Sequence, residues 1–406
     1  MLTARQIELI KATIPVLRES GVALTSYFYK RMLGGNPELR NIFNSGHQAR
    51  GHQQQALAAA VLAYAENIEN PAVLLGAVKH IATKHVTVGI RAEHYPIVGK
   101  HLLASIKEVL GDAASDELID AWAAAYGQLA DILINVESGI YKEQATADGG
   151  WSGWRPFVVA KKVVETPDVT SFYLKPADKG QVPSYKPGQF VSVRTYVPSV
   201  DLVQPRQYSL SRAAGDTEAL RISVKRVDAA DVTPAGLVSN HLHANLNEGD
   251  TIDVSAPTGE FFLNEGNNPV VLASAGIGIT PILAMLQDIA AKTPEREVLF
   301  VHVCKNSDDF ALKADVRAAL SQLKNARAAV FMTRANDCDG SCTCSCVRKG
   351  ARPDADAIKA LAPKADSDVF VCGPAGFMKD MVAAFAAAGV EAARIRFEAF
   401  GTGHQS

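Results

Sequence analysis

Pro269-Val-Val-Leu-Ala-Ser-Ala-Gly-Ile-Gly-Ile-Thr-Pro281 decides the carboxyl-terminal fold. The apolar run 269–274, closed by a glycine turn, reads as a buried strand. Gly276 and Gly278 carry no side chain, so this turn lets backbone N–H groups approach a pyrophosphate. Pro281 suits a first helical turn and predicts a helix from that residue. Proline stands where the G-x-G-x-x-G dinucleotide fingerprint has its third glycine. Taken alone, such a turn is also what any tight strand–helix corner needs. Val298–Val303 and Asp368–Cys372 read as further strands, the latter running into Cys372-Gly373-Pro374 and another helix. Strand and helix alternating from 266 to 406 predict an α/β domain on a parallel sheet.

Toward the amino terminus the pattern changes twice. Residues 148–265 carry short strand-like runs at Phe157–Ala160, Phe190–Arg194 and Leu220–Lys225. Turn signals at Lys186-Pro-Gly188 and Glu248-Gly-Asp250 separate them, which predicts an antiparallel β-barrel. Asp148-Gly-Gly150 reads as a hinge. Residues 1–147 read as all-α: proline is scarce, and Ala56, Leu57, Ala60, Val61 and Tyr64 form a helical apolar stripe. Asn36-Pro37 and Asn70-Pro71 mark expected helix starts.

The chain has 406 residues and a formal net charge of −2, which leaves no electrostatic case for a nucleic-acid partner. No apolar run reaches the length of a transmembrane helix, and the first residues lack a signal-peptide core; the expected location is the cytoplasm. The expected assembly is a monomer or weak dimer. Four of six cysteines crowd into one segment, unlike a disulfide framework.

His85 sits in Ile81-Ala-Thr-Lys-His-Val-Thr-Val88, sharing an apolar helix face with Ile81 and Val88. A lone histidine on such a face is usually a structural residue, and His47, His52, His80, His94 and His101 take that plain reading. His85 differs in its company. Tyr29, Phe43, Gln53, Leu57, Lys84, His85, Tyr95 and Glu137 together resemble the globin domain of bacterial flavohaemoglobins. The remainder of the chain resembles the reductase of that family, with Arg206-Gln207-Tyr208-Ser209, Ser223-Val-Lys225-Arg226, Gly236-Leu-Val238-Ser239-Asn240, the G-x-G-x-x-P turn Gly276 to Pro281, and Cys372-Gly373-Pro374.

The resemblance implies a haem-binding globin joined to a ferredoxin–NADP reductase-like pair of domains, carrying haem b, FAD and NAD(P)H. It implies that His85 binds the iron while Glu137 and Tyr95 orient it and raise its basicity. Tyr29 and Gln53 would donate to bound dioxygen; Leu57 and Phe43 would hold the ring and limit access, with Lys84 beside the cofactor. Arg206 would pair with FAD phosphate, Tyr208 pack on the flavin and Ser209 donate near its edge. Gln207, Ser223, Lys225, Gly236, Val238 and Ser239 complete the expected flavin set. Phe190 stands where the family often has tyrosine, losing one phenolic hydrogen bond. Gly276, Gly278, Thr280, Pro281, Cys372, Gly373 and Pro374 would hold the dinucleotide, and Glu398 and Phe400 would meet the flavin. The implied reaction is nitric oxide dioxygenation. A haem-based gas sensor or store, and a flavin reductase for ferric chelates, quinones or peroxides, are the alternatives.

Cys338, Cys342, Cys344 and Cys346 depart from the family's pattern. Their spacing is poor for a zinc knuckle; a soft-metal site, redox-labile disulfides and a passive loop all stay open. Cys304 reads as strand packing. Lys305, Arg334 and Arg348 show no spacing diagnostic of a 2′-phosphate, so NADH and NADPH are not separated.

Overall fold

A computed structural model describes residues 2–43, 51–215, 218–229, 234–334, 352–400 and, for the backbone alone, 347–349. The helical part contains α1 (Ala4–Ala12), α2 (Ile14–Gly35), α3 (His52–Glu66), α4 (Leu75–Val88), α5 (His94–Leu110) and α6 (Asp116–Thr146). Thr3 and Gln6 form a capping box at the start of α1, and the Ser115 hydroxyl caps α6. Both Asn-Pro steps open short 3-10 segments, Pro37–Asn41 and Pro71–Leu74, rather than the expected α-helices. Ile10, Phe28, Met32, Ala121, Trp122 and Ala125 pack the centre of this bundle.

The second part is an antiparallel sheet in the order β4-β3-β6-β1-β2-β5. Its strands are β1 (Trp154–Thr166), β2 (Val169–Pro176), β3 (Phe190–Val197), β4 (Leu202–Ser209), β5 (Leu220–Lys225) and β6 (Thr251–Ser255). A Leu210–Ile222 bridge joins the ends of β4 and β5, bending the sheet into a barrel. Phe157, Phe172, Val191, Ile222 and Val254 fill it, and α7 (Leu237–Asn245) adds Val238 and Leu242.

The third part is a parallel sheet in the order β10-β9-β8-β7-β11-β12. These are β7 (Val270–Ala275), β8 (Val298–Cys304), β9 (Ala326–Met332), β10 (Val347–Lys349), β11 (Asp368–Cys372) and β12 (Ile395–Glu398). Helix α8 (Ile279–Lys292) buries Ile279, Ile282, Leu283 and Leu286 against one face of the sheet. Beyond α9 (Lys313–Gln322) and α10 (Ala355–Ala360), helix α11 (Ala375–Ala387) buries Phe377, Met381 and Phe385 on the other. From β7 the chain winds outward through β8 and β9, then returns to the other side of β7 as β11. The gap between β7 and β11 is therefore the topological switch point, where ligands of open α/β sheets bind. The helix expected from Pro281 begins two residues earlier, at Ile279, because a 3-10 turn absorbs Gly276–Gly278. Pro281 still lies in the first turn, where its missing N–H has no helical partner to lose. Among the described residues no helix is long and apolar enough to cross a membrane.

Candidate functional site

Helix α4 carries His85 and the long helix α6 crosses behind it. Nδ1 of His85 lies 2.7 Å from Oε1 of Glu137 and 3.3 Å from the Tyr95 hydroxyl. Tyr95 donates to the same Glu137 oxygen at 2.5 Å. The Glu137 side chain is only 3 % exposed, whereas His85 is one-third exposed. Burial, reinforced by the bond to Glu137, drives the Tyr95 phenol well above its usual range, so it stays a donor. Tyr126 fixes Tyr95 through its backbone carbonyl at 2.6 Å. Nε2 of His85 has no hydrogen-bond partner among the described residues. One ring nitrogen is thus held by a carboxylate while the other is left open, which is the arrangement a metal-ligating histidine requires.

Tyr29 lies in α2, is 9 % exposed and stacks edge-to-face on Phe43 at 5.7 Å. Burial raises its phenol, so the hydroxyl remains protonated. Gln53 stands in the first turn of α3 and Leu57 one turn later, both half-buried. Leu57 and Phe43 pack against the same cluster as Tyr29.

Strand β4 carries the residues expected to meet the flavin. Burial pulls the Arg206 guanidinium down to about 10, and no carboxylate pairs with it among the described residues. A desolvated cation whose hydrogen bond among the described residues goes to the carbonyl of Pro205 is short of an anion, and a pyrophosphate fits it. Tyr208 is half-buried beside it, and desolvation raises its phenol. Ser209 pairs with Phe190 across β3–β4, and Phe190 is 7 % exposed. Other expected flavin residues are otherwise engaged. Ser223 turns into the barrel, bonded to Ser171 at 2.7 Å and Ser211 at 2.8 Å. Val238 is a core residue at 1 % exposure. Lys225 pairs with Asp168 at 3.1 Å. The Ser239 hydroxyl closes on the Gly236 carbonyl at 3.2 Å. A flavin would meet Gly236, Val238 and Ser239 through the backbone. The Gln207 amide reaches into the helical domain and donates to the Thr87 hydroxyl at 3.0 Å.

At the switch point the two glycine turns touch. A Cβ built on Gly278 would lie 2.2 Å from the Cys372 carbonyl oxygen, so only glycine permits this approach. Gly373 is crowded less tightly, by the Phe377 ring at 2.8 Å and Ala275 at 3.1 Å. Gly276 takes φ +53. Pro374 is the N-cap of α11. The Thr280 hydroxyl is spent on the Ile277 carbonyl at 3.0 Å. Cys372 is fully buried, which pushes its thiol well up. Cross-strand register aligns Glu398, Cys372, Ser274 and His302 in one row along the carboxyl ends of β12, β11, β7 and β8. Glu398 has a buried Oε2 without a hydrogen bond; burial raises its carboxyl to about 8, partly offset by Lys84. Burial lowers the Lys84 ammonium in turn. The charges of Lys84 and Glu398 thus influence each other between the helix that bears His85 and the last strand of the sheet. Phe400 follows, exposed at 48 %.

Several connections had no local signal in the sequence. Gln204 bonds the carbonyls of Arg40 and Phe43, and the Val203 N–H donates to Asn41. Arg221, 4 % exposed, ties the barrel to Asp315 of the parallel-sheet domain. His302 is fully buried, stacked on Phe310 and bonded to Ser274 at 2.9 Å; burial drives it down to about 3. A cleft of about 1000 Å³ opens between the helical bundle and the barrel beside Arg91, Trp154 and Arg194. None of the expected cofactor residues lines it. Cys338, Cys342, Cys344 and Cys346, and His47, lie outside the described residues; among the described ones no cluster suited to a metal occurs.

Three family models match in series: Globin over 26–133, Oxidoreductase FAD-binding domain over 156–263 and Oxidoreductase NAD-binding domain over 272–383. A flavohemoprotein of Bordetella pertussis is 53% identical over 410 residues, covering 99% of both chains. The crystal structure of a flavohemoglobin from Malassezia yamatoensis with bound FAD and heme superposes with a TM-score of 0.84 at 30% identity, covering 98% of this chain and 100% of that one. The FAD/NAD binding domain of a nitric oxide dioxygenase from Vibrio cholerae matches 61% of this chain and 98% of its own at 36% identity and a TM-score of 0.54. With its bundle, barrel and parallel sheet in the order of those three models, the chain belongs to the flavohemoprotein family, a globin joined to an FAD- and NAD-binding oxidoreductase.

Proposed function

We propose that the protein is a nitric oxide dioxygenase that converts nitric oxide and dioxygen to nitrate with electrons from NAD(P)H. The observation that carries this reading is His85, with Nδ1 anchored on Glu137 and Nε2 open, on a helix bonded directly to the flavin strand. Oxidising nitric oxide to nitrate releases three electrons and reducing dioxygen takes four, so each turnover consumes one electron and each NAD(P)H serves two. When bound, the flavin divides a hydride into single electrons, and the haem iron accepts them and brings the two gases together.

The residues divide that work. His85 ligates, Glu137 fixes its tautomer and strengthens it as a donor, and Tyr95 orients the carboxylate. Tyr29 and Gln53 supply hydrogen-bond donors on the opposite wall, and Leu57 and Phe43 keep that wall apolar. Arg206 neutralises the flavin pyrophosphate, while Phe190, Tyr208 and Ser209 frame the ring. The Gly276–Gly278 turn and the Cys372–Pro374 turn admit the dinucleotide. Phe400 covers the flavin, and Glu398, with a carboxyl near 8, holds or releases a proton beside Lys84 at neutral pH. The domains of this reading are a globin over 1–147, a flavin barrel over 148–265 and a dinucleotide domain over 266–406. It places a monomer or weak dimer in the cytoplasm.

Replacing His85 by alanine tests it. Loss of NAD(P)H-dependent nitric oxide consumption with retained NAD(P)H oxidation by the flavin supports the proposal. Undiminished nitric oxide consumption overturns it, and points instead to a flavin reductase.

A further inference from the structure

We propose that Thr87 is a positioning residue for flavin-to-haem electron transfer, acting through Gln207 to hold strand β4 on the helix that bears His85. The inference rests on the reading that flavin binds β4 and haem binds His85. Thr87 is completely buried, two residues beyond His85. Its Oγ1 proton is committed to the Lys84 carbonyl at 2.8 Å, three residues back, a bond that threonine commonly makes within a helix. The hydroxyl is therefore fixed as an acceptor, and Nε2 of Gln207 donates to it at 3.0 Å. Alternation along β4 places Gln207 on the face opposite Arg206 and Tyr208. The chain thus connects the strand between two flavin residues to the turn immediately before the iron ligand, by two hydrogen bonds.

A second anchor gives this one its force. Three residues earlier on β4, Gln204 donates to the carbonyls of Arg40 at 3.0 Å and Phe43 at 3.4 Å, and the Val203 N–H donates to Asn41 at 2.9 Å. At the rise of a β-strand the two anchors stand about 10 Å apart. One grips the helix of His85, the other the segment of Phe43. Gln204 and Gln207, three residues apart, leave opposite faces of β4, and because β4 is an edge of its sheet both can reach past it to the helical bundle. A single anchor leaves the strand free to pivot about it. Two anchors set both its distance from the haem crevice and its angle to it.

The test compares Thr87→Val and Thr87→Ser with the parent protein, each loaded with haem and FAD, in anaerobic stopped-flow. Flavin bleaching by NAD(P)H is expected to be unchanged in both variants. Haem reduction is expected to slow about tenfold or more in Thr87→Val, within the range that a misplacement on the order of 1 Å brings. Thr87→Ser, which keeps the hydroxyl, is expected to restore it. In the cofactor-free protein, amide exchange around 86–88 and 203–208 is expected to rise in Thr87→Val and not in Thr87→Ser. Haem reduction in Thr87→Val at the parental rate overturns the proposal, as does equal slowing in both variants, or loss of cofactor content in step with the rate. Should Thr87→Val fold poorly, Thr87→Ala carries the same comparison. A parent protein that binds both cofactors and passes no electron between them sinks the underlying reading, and this one with it; normal transfer in parent and Thr87→Val alike sinks this one alone.

Discussion

Nδ1 of His85 and Oε1 of Glu137 stand 2.7 Å apart, and that same oxygen accepts a 2.5 Å bond from Tyr95. One buried carboxylate oxygen therefore serves two donors. In Glu137→Gln, the amide oxygen carries less charge and a wrong rotamer turns its NH2 toward the imidazole. Haem affinity or turnover is expected to fall about 10- to 100-fold, the usual cost of losing such a partner. Tyr95→Phe is expected to cost less, because the Glu137 contact survives. Haem-transfer kinetics to an acceptor globin measures both.

Arg206→Met removes a half-buried, desolvated cation that has no carboxylate partner among the described residues. A charge-assisted hydrogen bond contributes about 1.5–3 kcal/mol, so FAD affinity is expected to fall about 10- to 100-fold. The cofactor-free protein is expected to keep its melting temperature, since a desolvation cost disappears with the charge. Flavin fluorescence titration and calorimetry give the two readings.

Gly278→Ala sets a methyl 2.2 Å from the carbonyl oxygen of Cys372, which is backbone and cannot swing aside. The two turns must separate, at about 1–3 kcal/mol of stability. The KM for NAD(P)H is expected to rise while photochemical reduction of the flavin stays normal.

The readings from sequence divide along the range of the interactions involved. The strand at 270–275 was legible because a proline and a glycine turn bracket an apolar run, and the helix start moved only because three residues of 3-10 turn precede it. His85 shares a helix face with Ile81 and Val88, which alone reads as structural; the family resemblance singled it out. Glu137 lies 52 residues further on, and nothing local marks it as buried; only the family resemblance pointed there. Ser223 fits the motif, yet a pair of buried serines claims its hydroxyl, a fact of barrel closure that no run of residues displays. Gln204 with Phe43 and Gln207 with Thr87 join positions 161 and 120 residues apart, beyond any periodicity.

Glu398 makes the stability of the cofactor-free protein depend on pH. Its carboxyl is raised from 4.5 to about 8, so the folded protein binds the proton more tightly than the unfolded chain does. Its contribution is full below about pH 4.5 and is lost as pH rises through about 8. Glu398→Gln is expected to flatten that decline and to be the more stable protein at the alkaline end. Urea midpoints taken across this range check the sign; a parental decline retained in Glu398→Gln contradicts it.

The most direct measurement follows electrons across the two lobes. Protein loaded with haem and FAD is mixed with NAD(P)H under anaerobic carbon monoxide, and the flavin and Soret absorbances are recorded together. Flavin bleaching followed by the Soret shift of reduced, carbonyl-bound haem is the predicted result. A flavin that bleaches while the haem spectrum stays oxidised contradicts the account.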